Sequence, residues 1–143
     1  MIHSSAARAA AMAANPKSSI RVLLIEDNQS DVLLVSRMLS EAWQRNTFDI
    51  CNVPRLSDAL DQLHAQHFDI VLLDLNLLDI SGVAAVAALR MEVGGTPIIV
   101  YSGVFDPQLR QDALLCGARH YLVKGRESAF SLRFMIQQVL DQQ

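Results

Sequence analysis

Acidic, hydroxyl and amino side chains follow four separate apolar runs of this 143-residue chain. Glu26 and Asp27 come after the first run, Asp74 after the second, Ser102 after the third and Lys124 after the fourth. Carboxylates without nitrogen or sulfur partners are the ligands that Mg²⁺ prefers. A carboxylate beside Mg²⁺ can act as a nucleophile toward a phosphoryl group, whose oxygens a lysine and a hydroxyl can then bind. The residue types therefore predict a Mg²⁺-dependent phosphoacceptor site.

The spacing of the apolar runs predicts the elements that would bring these side chains together. From Ile20 onward, short apolar runs alternate with longer amphipathic segments, which is typical of βα units and a parallel sheet. The expected strands cover residues 20–26, 48–53, 68–74, 96–102 and 119–124, with a helix after each. The fold class is thus α/β, a doubly wound (βα)5 sandwich. Ligand sites in such sheets form at the carboxyl ends of the strands, where these polar residues should converge.

Residues that can cap free backbone N–H groups mark the expected starts of three helices. Asn28 or Ser30 precedes the first helix, and Ser57 is placed to cap the second. Asp106 and Pro107 begin the fourth helix as an N-cap followed by a first-turn proline.

The last helix carries more apolar residues than one buried stripe needs. These residues are Phe130, Phe134, Met135, Ile136, Val139 and Leu140. We expect them to pack in the core, and a dimer or partner surface is the alternative.

Composition restricts the class of protein and its location. The length suits a single domain over residues 20–143, preceded by a flexible extension over residues 1–19 that is rich in alanine and serine. Lysine and arginine are scattered, so we expect no nucleic-acid binding by this domain. No apolar run approaches the ~20 residues needed to span a membrane. Cys51 and Cys116 lack metal-binding spacing, which favours free thiols in a reducing cytoplasm.

Four segments of the chain resemble the receiver domains of two-component response regulators. They read IRVLLIEDN, IVLLDLNLLDISG, PIIVYSG and ARHYLVKG. The resemblance implies a flavodoxin-like five-stranded sheet of order 2-1-3-4-5. It also implies that Asp74 is the phosphoacceptor, which receives its phosphoryl group from a histidine kinase or a phosphotransfer protein. Glu26 and Asp27 match the acidic pair that holds Mg²⁺, and Asn76 matches the position whose backbone carbonyl completes the protein ligands.

The resemblance further implies a switch rather than an enzyme. Ser102 matches the switch hydroxyl, Tyr121 the switch aromatic, and Lys124 the lysine that pairs with the phosphoryl group. Phosphorylated Asp74 would draw Ser102 inward, and the Tyr121 ring would turn into the space that Ser102 leaves. The face formed by the fourth helix, the fifth strand and the last helix would then change. A downstream protein, a missing output domain or a second copy of the chain would bind this face.

Several residues depart from the family pattern. Gly125 stands after the lysine, where the family usually has a proline joined by a cis bond, so we expect a trans Lys124–Gly125 bond. Leu78 lies in the region where the family usually has a proline, and Gly103 replaces the more usual alanine after the switch hydroxyl. Val104 offers no polar group to orient water, which predicts slow self-dephosphorylation.

These departures keep a second interpretation open. The glycine substitutions could weaken the phosphoacceptor site, and the chain would then be a receiver-like scaffold that binds partners without phosphorylation. Loss of modification by a phosphoryl donor in an Asp74→Asn variant distinguishes the switch from the scaffold.

Overall fold

The computed structural model describes residues 18–40 and 46–143, and in this part of the chain five strands form one parallel sheet. The strands are β1 (Ser18–Ile25), β2 (Asn46–Val53), β3 (Ile70–Leu73), β4 (Ile98–Ser102) and β5 (His120–Val123). Their order is β2-β1-β3-β4-β5, and every neighbouring pair is parallel. The predicted architecture and strand order are therefore confirmed. The predicted extension over residues 1–19 lies outside the described residues, except that β1 already begins at Ser18.

A helix follows each strand, and the helices cover both faces of the sheet. Within the described residues they are α1 (Gln29–Ser40), α2 (Leu56–Ala65), α3 (Ala84–Val93), α4 (Pro107–Leu115) and α5 (Ala129–Asp141). One core cluster joins the sheet to α2, α3 and α4, and a second joins it to α1 and α5. All four residues of β3 are fully buried between the two clusters, as a continuous apolar run in a central parallel strand requires. No described helix has the length and apolar character needed to cross a bilayer.

Two of the three predicted helix caps are present. The Asn28 side chain accepts a hydrogen bond from the backbone N–H of Asp31 at 3.0 Å, which identifies Asn28 rather than Ser30 as the cap of α1. Asp106 accepts from the backbone N–H of Gln108 at 2.9 Å at the start of α4. Each cap satisfies a donor that has no partner within its helix.

The predicted cap of α2 is wrong, because a residue from another loop caps this helix. Ser57 lies inside the helix, and its backbone N–H donates to a carboxylate oxygen of Asp79 at 3.1 Å. The other Asp79 oxygen accepts from the backbone N–H of Leu56, also at 3.1 Å. Partial desolvation raises the pKa of Asp79, but backbone hydrogen bonds, these two among them, and the charge of Arg55 together lower the pKa overall. The loop between β3 and α3 is thereby fastened to the start of α2.

An Asp79→Ala variant should lose about 1 kcal/mol of unfolding free energy, because both N–H groups at the start of α2 lose their acceptor. A Ser57→Ala variant is the matched control, since its hydroxyl caps nothing in α2. Urea unfolding of the two variants beside the wild type measures the difference. A larger loss from Ser57→Ala than from Asp79→Ala would contradict the assignment of the cap.

The prediction of core packing for the last helix is wrong for two of its aromatic residues. Phe130 and Phe134 are 59% and 55% exposed, and their rings stack at a centroid distance of 6.1 Å. Ile136 and Val139 are fully buried as expected, while Met135 and Leu140 pack against the same cluster from its margin. The two phenylalanines lie one helical turn apart on the outward side of α5, since the buried positions occupy the opposite side.

Candidate functional site

Three carboxylates meet at the carboxyl edge of the sheet, where β1 and β3 end side by side. Ile25 and Leu73 are partners in the parallel register, so the residues that follow them, Glu26 and Asp74, are neighbours. Asp74 N–H donates to the carbonyl of Ile25 at 3.0 Å, which continues the pairing one residue past the strands. Carboxylate oxygens of Glu26, Asp27 and Asp74 lie within 4.8 Å of one another. The sequence predicted this convergence correctly.

Burial makes this cluster of acids unfavourable without a cation. Glu26 is 1% exposed, and burial is the main reason that its pKa rises from 4.5 to about 7. A hydrogen bond from Lys124 lowers the pKa, and the nearby charge of Asp74 raises it again. The donors are all hard carboxylate oxygens, and they open onto a cleft with room for water. This donor set fits Mg²⁺, which keeps several waters and takes few protein carboxylates.

Lys124 lies among the acids, but Asp74, the candidate phosphoacceptor, is not the acid closest to it. Its Nζ atom is 2.6 Å from Glu26 Oε1, 2.9 Å from Asp31 Oδ2 and 3.6 Å from Asp74 Oδ2. Burial acts to lower the pKa of Lys124, but the hydrogen bonds to Glu26 and Asp31 outweigh it and raise the pKa overall. The lysine is therefore a fixed cation at this edge of the sheet.

Sequence reasoning missed Asp31 and Asn52 as members of the site. Asp31 lies in the first turn of α1, four residues after Asp27. This closeness to the end of β1 in the sequence is the feature that could have indicated its place in the site. Asn52 of β2 donates its side-chain amide to the backbone carbonyls of Leu24 and Glu26 at 3.0 and 3.1 Å. This contact holds the end of β1, and no local pattern in the sequence indicates it.

Ser102 and Tyr121 are joined through the backbone of Val104. Ser102 ends β4 and is buried, and its hydroxyl oxygen accepts a hydrogen bond from the Val104 N–H at 3.4 Å. The hydroxyl of Tyr121 donates to the Val104 carbonyl at 2.5 Å. Burial raises the pKa of Tyr121, so its hydroxyl stays protonated and remains a donor.

The Tyr121 ring is already buried in this structure. It is 7% exposed and belongs to the core cluster below α3 and α4. The resemblance implied that the ring would turn into space that Ser102 leaves when Asp74 is phosphorylated. Here the Val104 carbonyl gives the Tyr121 hydroxyl an acceptor, so burial of the ring leaves no unsatisfied donor.

The loop after Lys124 has the predicted trans bond, because no cis peptide bond occurs among the described residues. Gly125 has a φ of 85°, a left-handed conformation that suits glycine and helps the chain turn back. The turn is closed by a hydrogen bond from Arg126 N–H to the Val123 carbonyl at 3.1 Å. It places the Arg126 guanidinium 4.9 Å from the centre of the Phe105 ring, so the loops after β4 and β5 contact each other.

One open cleft of about 550 Å³ is lined by the acids, the lysine and the serine, namely Glu26, Asp27, Asp31, Asp74, Lys124 and Ser102. Asn76 lies on its wall, and the backbone around it is held by a short bridge to Ser81. Val104, which is largely exposed, forms part of the opposite rim. The acids, the lysine and the serine therefore face a common space that water and a small anion can enter.

Comparison with known proteins identifies relatives of the chain. Residues 22–132 match the family described as the response regulator receiver domain. The chain is 33% identical over 106 residues to the cell cycle transcriptional regulator CtrA of Caulobacter vibrioides and 35% identical over 106 residues to the cell cycle response regulator CtrA of Brucella ovis. Each match covers 73% of this chain and 44% of the relative, so the chain spans less than half of their length.

Solved structures show the same architecture. The chemotaxis protein CheY4 of Vibrio cholerae is 26% identical, with a TM-score of 0.73 over 85% of this chain and 99% of that chain. The receiver domain of a LuxO repressor protein from Vibrio parahaemolyticus has a TM-score of 0.76 at 24% identity, covering 87% and 92% of the two chains.

Proposed function

The chain belongs to the response regulator receiver domain family, and on this premise we propose that Asp74 accepts a phosphoryl group from a histidine kinase or a phosphotransfer protein. The observation that carries the proposal is the grouping of buried Asp74 with two further acids and a fixed lysine at one open cleft. An Asp74 carboxylate oxygen forms the new bond to phosphorus. The bond from phosphorus to the donor's imidazole nitrogen breaks, and its electron pair stays on the imidazole.

Residues around Asp74 are placed to bind the metal and the phosphoryl oxygens. Glu26, Asp27, Asp74 and the backbone carbonyl of Asn76 would hold Mg²⁺. When bound, Mg²⁺ neutralises charge on the transferring oxygens. Lys124 would donate to a phosphoryl oxygen through its ammonium group, which has three donors. The Ser102 hydroxyl can donate to another, because its oxygen, not its proton, is engaged by Val104.

We infer that the phosphoryl group acts by stabilising one arrangement of the β4–α4 loop. When Ser102 moves toward Asp74, Val104 moves with it, because the Val104 N–H is hydrogen-bonded to the Ser102 hydroxyl. The Val104 carbonyl in turn accepts a hydrogen bond from Tyr121. Phosphorylation therefore favours the buried position of Tyr121 that this structure already contains. For the face formed by α4, β5 and α5, phosphorylation thus shifts the populations of conformations that already exist and does not create a new conformation.

The proposed partners bind this face. Phe130 and Phe134 are exposed on α5 and would contribute apolar contacts to a downstream protein, an output domain or a homodimer. The chain spans less than half the length of its curated relatives. We therefore propose only that this face binds a partner, without naming the downstream response. We propose a cytoplasmic signalling domain that does not itself bind nucleic acid.

The proposal is tested with the wild-type chain and two phosphoryl donors or mimics. Acetyl phosphate with Mg²⁺ should add one phosphoryl group by intact mass, and chelation of Mg²⁺ with EDTA should prevent the addition. Beryllofluoride should give bound ¹⁹F NMR signals under the same conditions. If neither acetyl phosphate nor beryllofluoride binds, the phosphorylation-independent scaffold is the better interpretation.

Self-dephosphorylation should be slow, because Val104 supplies no polar group to orient water beside the phosphoryl group. A Val104→Glu variant should shorten the acyl-phosphate lifetime by about tenfold or more, since a positioned polar group can assist proton transfer from water. Val104→Ala is the control for the change in size, and the exposed position keeps the core intact. A wild-type lifetime equal to or shorter than that of Val104→Glu would contradict this prediction.

A further inference from the structure

The ammonium group of Lys124 is divided among three carboxylates in an unequal way. It lies within hydrogen-bond distance of Glu26 and Asp31, whereas its distance of 3.6 Å from Asp74 allows an ion pair but no hydrogen bond. An ammonium has three donors, and two of them are directed at residues other than the phosphoacceptor. The ammonium of Lys124 is thus held closer to Glu26 and Asp31 than to the carboxylate of Asp74.

The side chain of Asp31 reaches Lys124 from a different element and a distant part of the sequence. Asp31 is in the first turn of α1, and its backbone N–H is fixed by the Asn28 cap at 3.0 Å. Its carboxylate contacts a lysine 93 residues away at the end of β5. An acid in the first turn of a helix is favoured by the helix dipole alone, which requires no lysine. The tertiary contact to Lys124 therefore needs its own explanation.

We propose that Asp31 is a positioning residue that holds Lys124 away from Asp74 until a phosphoryl group arrives. The inference rests on the proposed function, because the lysine matters only if Asp74 becomes phosphorylated. A phosphoryl group on Asp74 adds negative oxygens close to the ammonium, which then exchanges its contact with Asp31 for a contact with the phosphoryl group. Asp31 stabilises the unphosphorylated arrangement and so adjusts the balance between the two states.

Asp31 also affects the metal, through the same lysine. With the Asp31 carboxylate removed, the remaining partners of the ammonium are Glu26 and Asp74. An ammonium that moves onto Asp74 competes with Mg²⁺ for that carboxylate and repels the cation. Asp31 therefore keeps the Asp74 oxygens available to Mg²⁺ and keeps Lys124 away from Asp74 until the phosphoryl group is present.

An Asp31→Asn variant should move two affinities in opposite directions. Beryllofluoride at saturating Mg²⁺ should bind about three- to fivefold more tightly, because the lysine is already released and one negative charge is gone. Mg²⁺ alone should bind more weakly by a similar factor, measured by calorimetry. Loss of structure would weaken both, so the opposite signs distinguish a positioning role from a structural one.

Two variants serve as controls for this result. Asp61→Asn removes the same charge from an exposed position on α2 and should leave both affinities unchanged. Asp31→Glu keeps a carboxylate near the ammonium and should restore both affinities toward the wild type. The proposal is overturned if Asp31→Asn behaves like Asp61→Asn, or if both of its affinities move in the same direction.

A direct observation of the lysine separates this inference from the proposed function. Lysine occurs only at positions 17 and 124, so lysine labelled with ¹⁵N at Nζ gives two signals, which a Lys17→Arg variant assigns. The Lys124 signal should shift in Asp31→Asn and not in Asp61→Asn. If the wild type binds no beryllofluoride, the proposed function fails, and an unchanged Lys124 signal would overturn the role of Asp31 independently.

Discussion

An Asp74→Asn variant should accept no phosphoryl group and bind no beryllofluoride, yet it should be more stable than the wild type in the absence of Mg²⁺. An amide cannot form the acyl phosphate, so the loss should be complete. The gain in stability follows because Asp74 lies within 4.8 Å of two other carboxylates and is buried. Removing one of three repelling charges should raise the free energy of unfolding by about 1 kcal/mol.

Mass spectrometry after treatment with acetyl phosphate and urea unfolding with and without Mg²⁺ measure the two effects. Mg²⁺ should stabilise the wild type by binding only its folded state, and it should stabilise Asp74→Asn less. Asp61→Asn is again a suitable control, since it removes one charge outside the cleft and should keep both phosphorylation and the response to Mg²⁺. A phosphoryl group recovered on Asp74→Asn would place the acceptor elsewhere in the chain.

A Lys124→Met variant should lose about 3 kcal/mol of unfolding free energy near neutral pH and should no longer retain beryllofluoride. Methionine replaces the mostly buried stem of the lysine, so the main loss is the cation. Glu26, whose side chain is 2% exposed, is then left with acids and no ammonium. Breaking a buried ion pair from one side is strongly destabilising because the remaining charge has no partner.

The sign of the pH dependence follows from Glu26. Its pKa in the folded wild type is about 7, above the ordinary value of 4.5, and loss of Lys124 removes a contact that lowers it. An acid with a raised folded pKa binds its proton more tightly in the folded state, so stability falls as pH rises through the interval between the two values. The loss in Lys124→Met should therefore be larger at about pH 8 than at about pH 5, where Glu26 is protonated.

Lys124→Arg is the matched variant, because it keeps a cation at the site with altered geometry. It should lose less stability than Lys124→Met and show a weaker pH dependence. Equal losses at the two pH values for Lys124→Met would mean that the cost arises from packing and not from the charge of Glu26. Addition of Mg²⁺ should recover part of the stability of Lys124→Met, since the metal replaces the missing cation.

The parts of the site that follow strand ends could be predicted from the sequence. Glu26, Asp74 and Ser102 each end a run whose apolar character marks a buried strand, and parallel strands bring such ends together. The strand therefore determines both where each residue lies and which edge it shares. No long-range contact had to be guessed for these residues.

Asp31 and Asp79 could not be assigned in this way. Each acid lies in an ordinary position for a helix start or a turn, and its structural role depends on a partner 22 or more residues away. Periodicity reports which side of an element is apolar, and it carries no information about which loop an acidic side chain reaches. The prediction for Phe130 and Phe134 failed for a related reason. The number of apolar residues in a helix does not indicate which of them the core has room to bury.

Under the proposed function, in which Tyr121 is the switch aromatic, its buried position limits the dynamic range of the signal. A partner that recognises this arrangement would meet it before any phosphoryl transfer, and the domain would then have a basal output. If a fraction of the resting molecules holds the ring inside, full phosphorylation can raise the output by no more than the reciprocal of that fraction. Sensitivity in such a domain is gained by lowering the background as much as by strengthening the response.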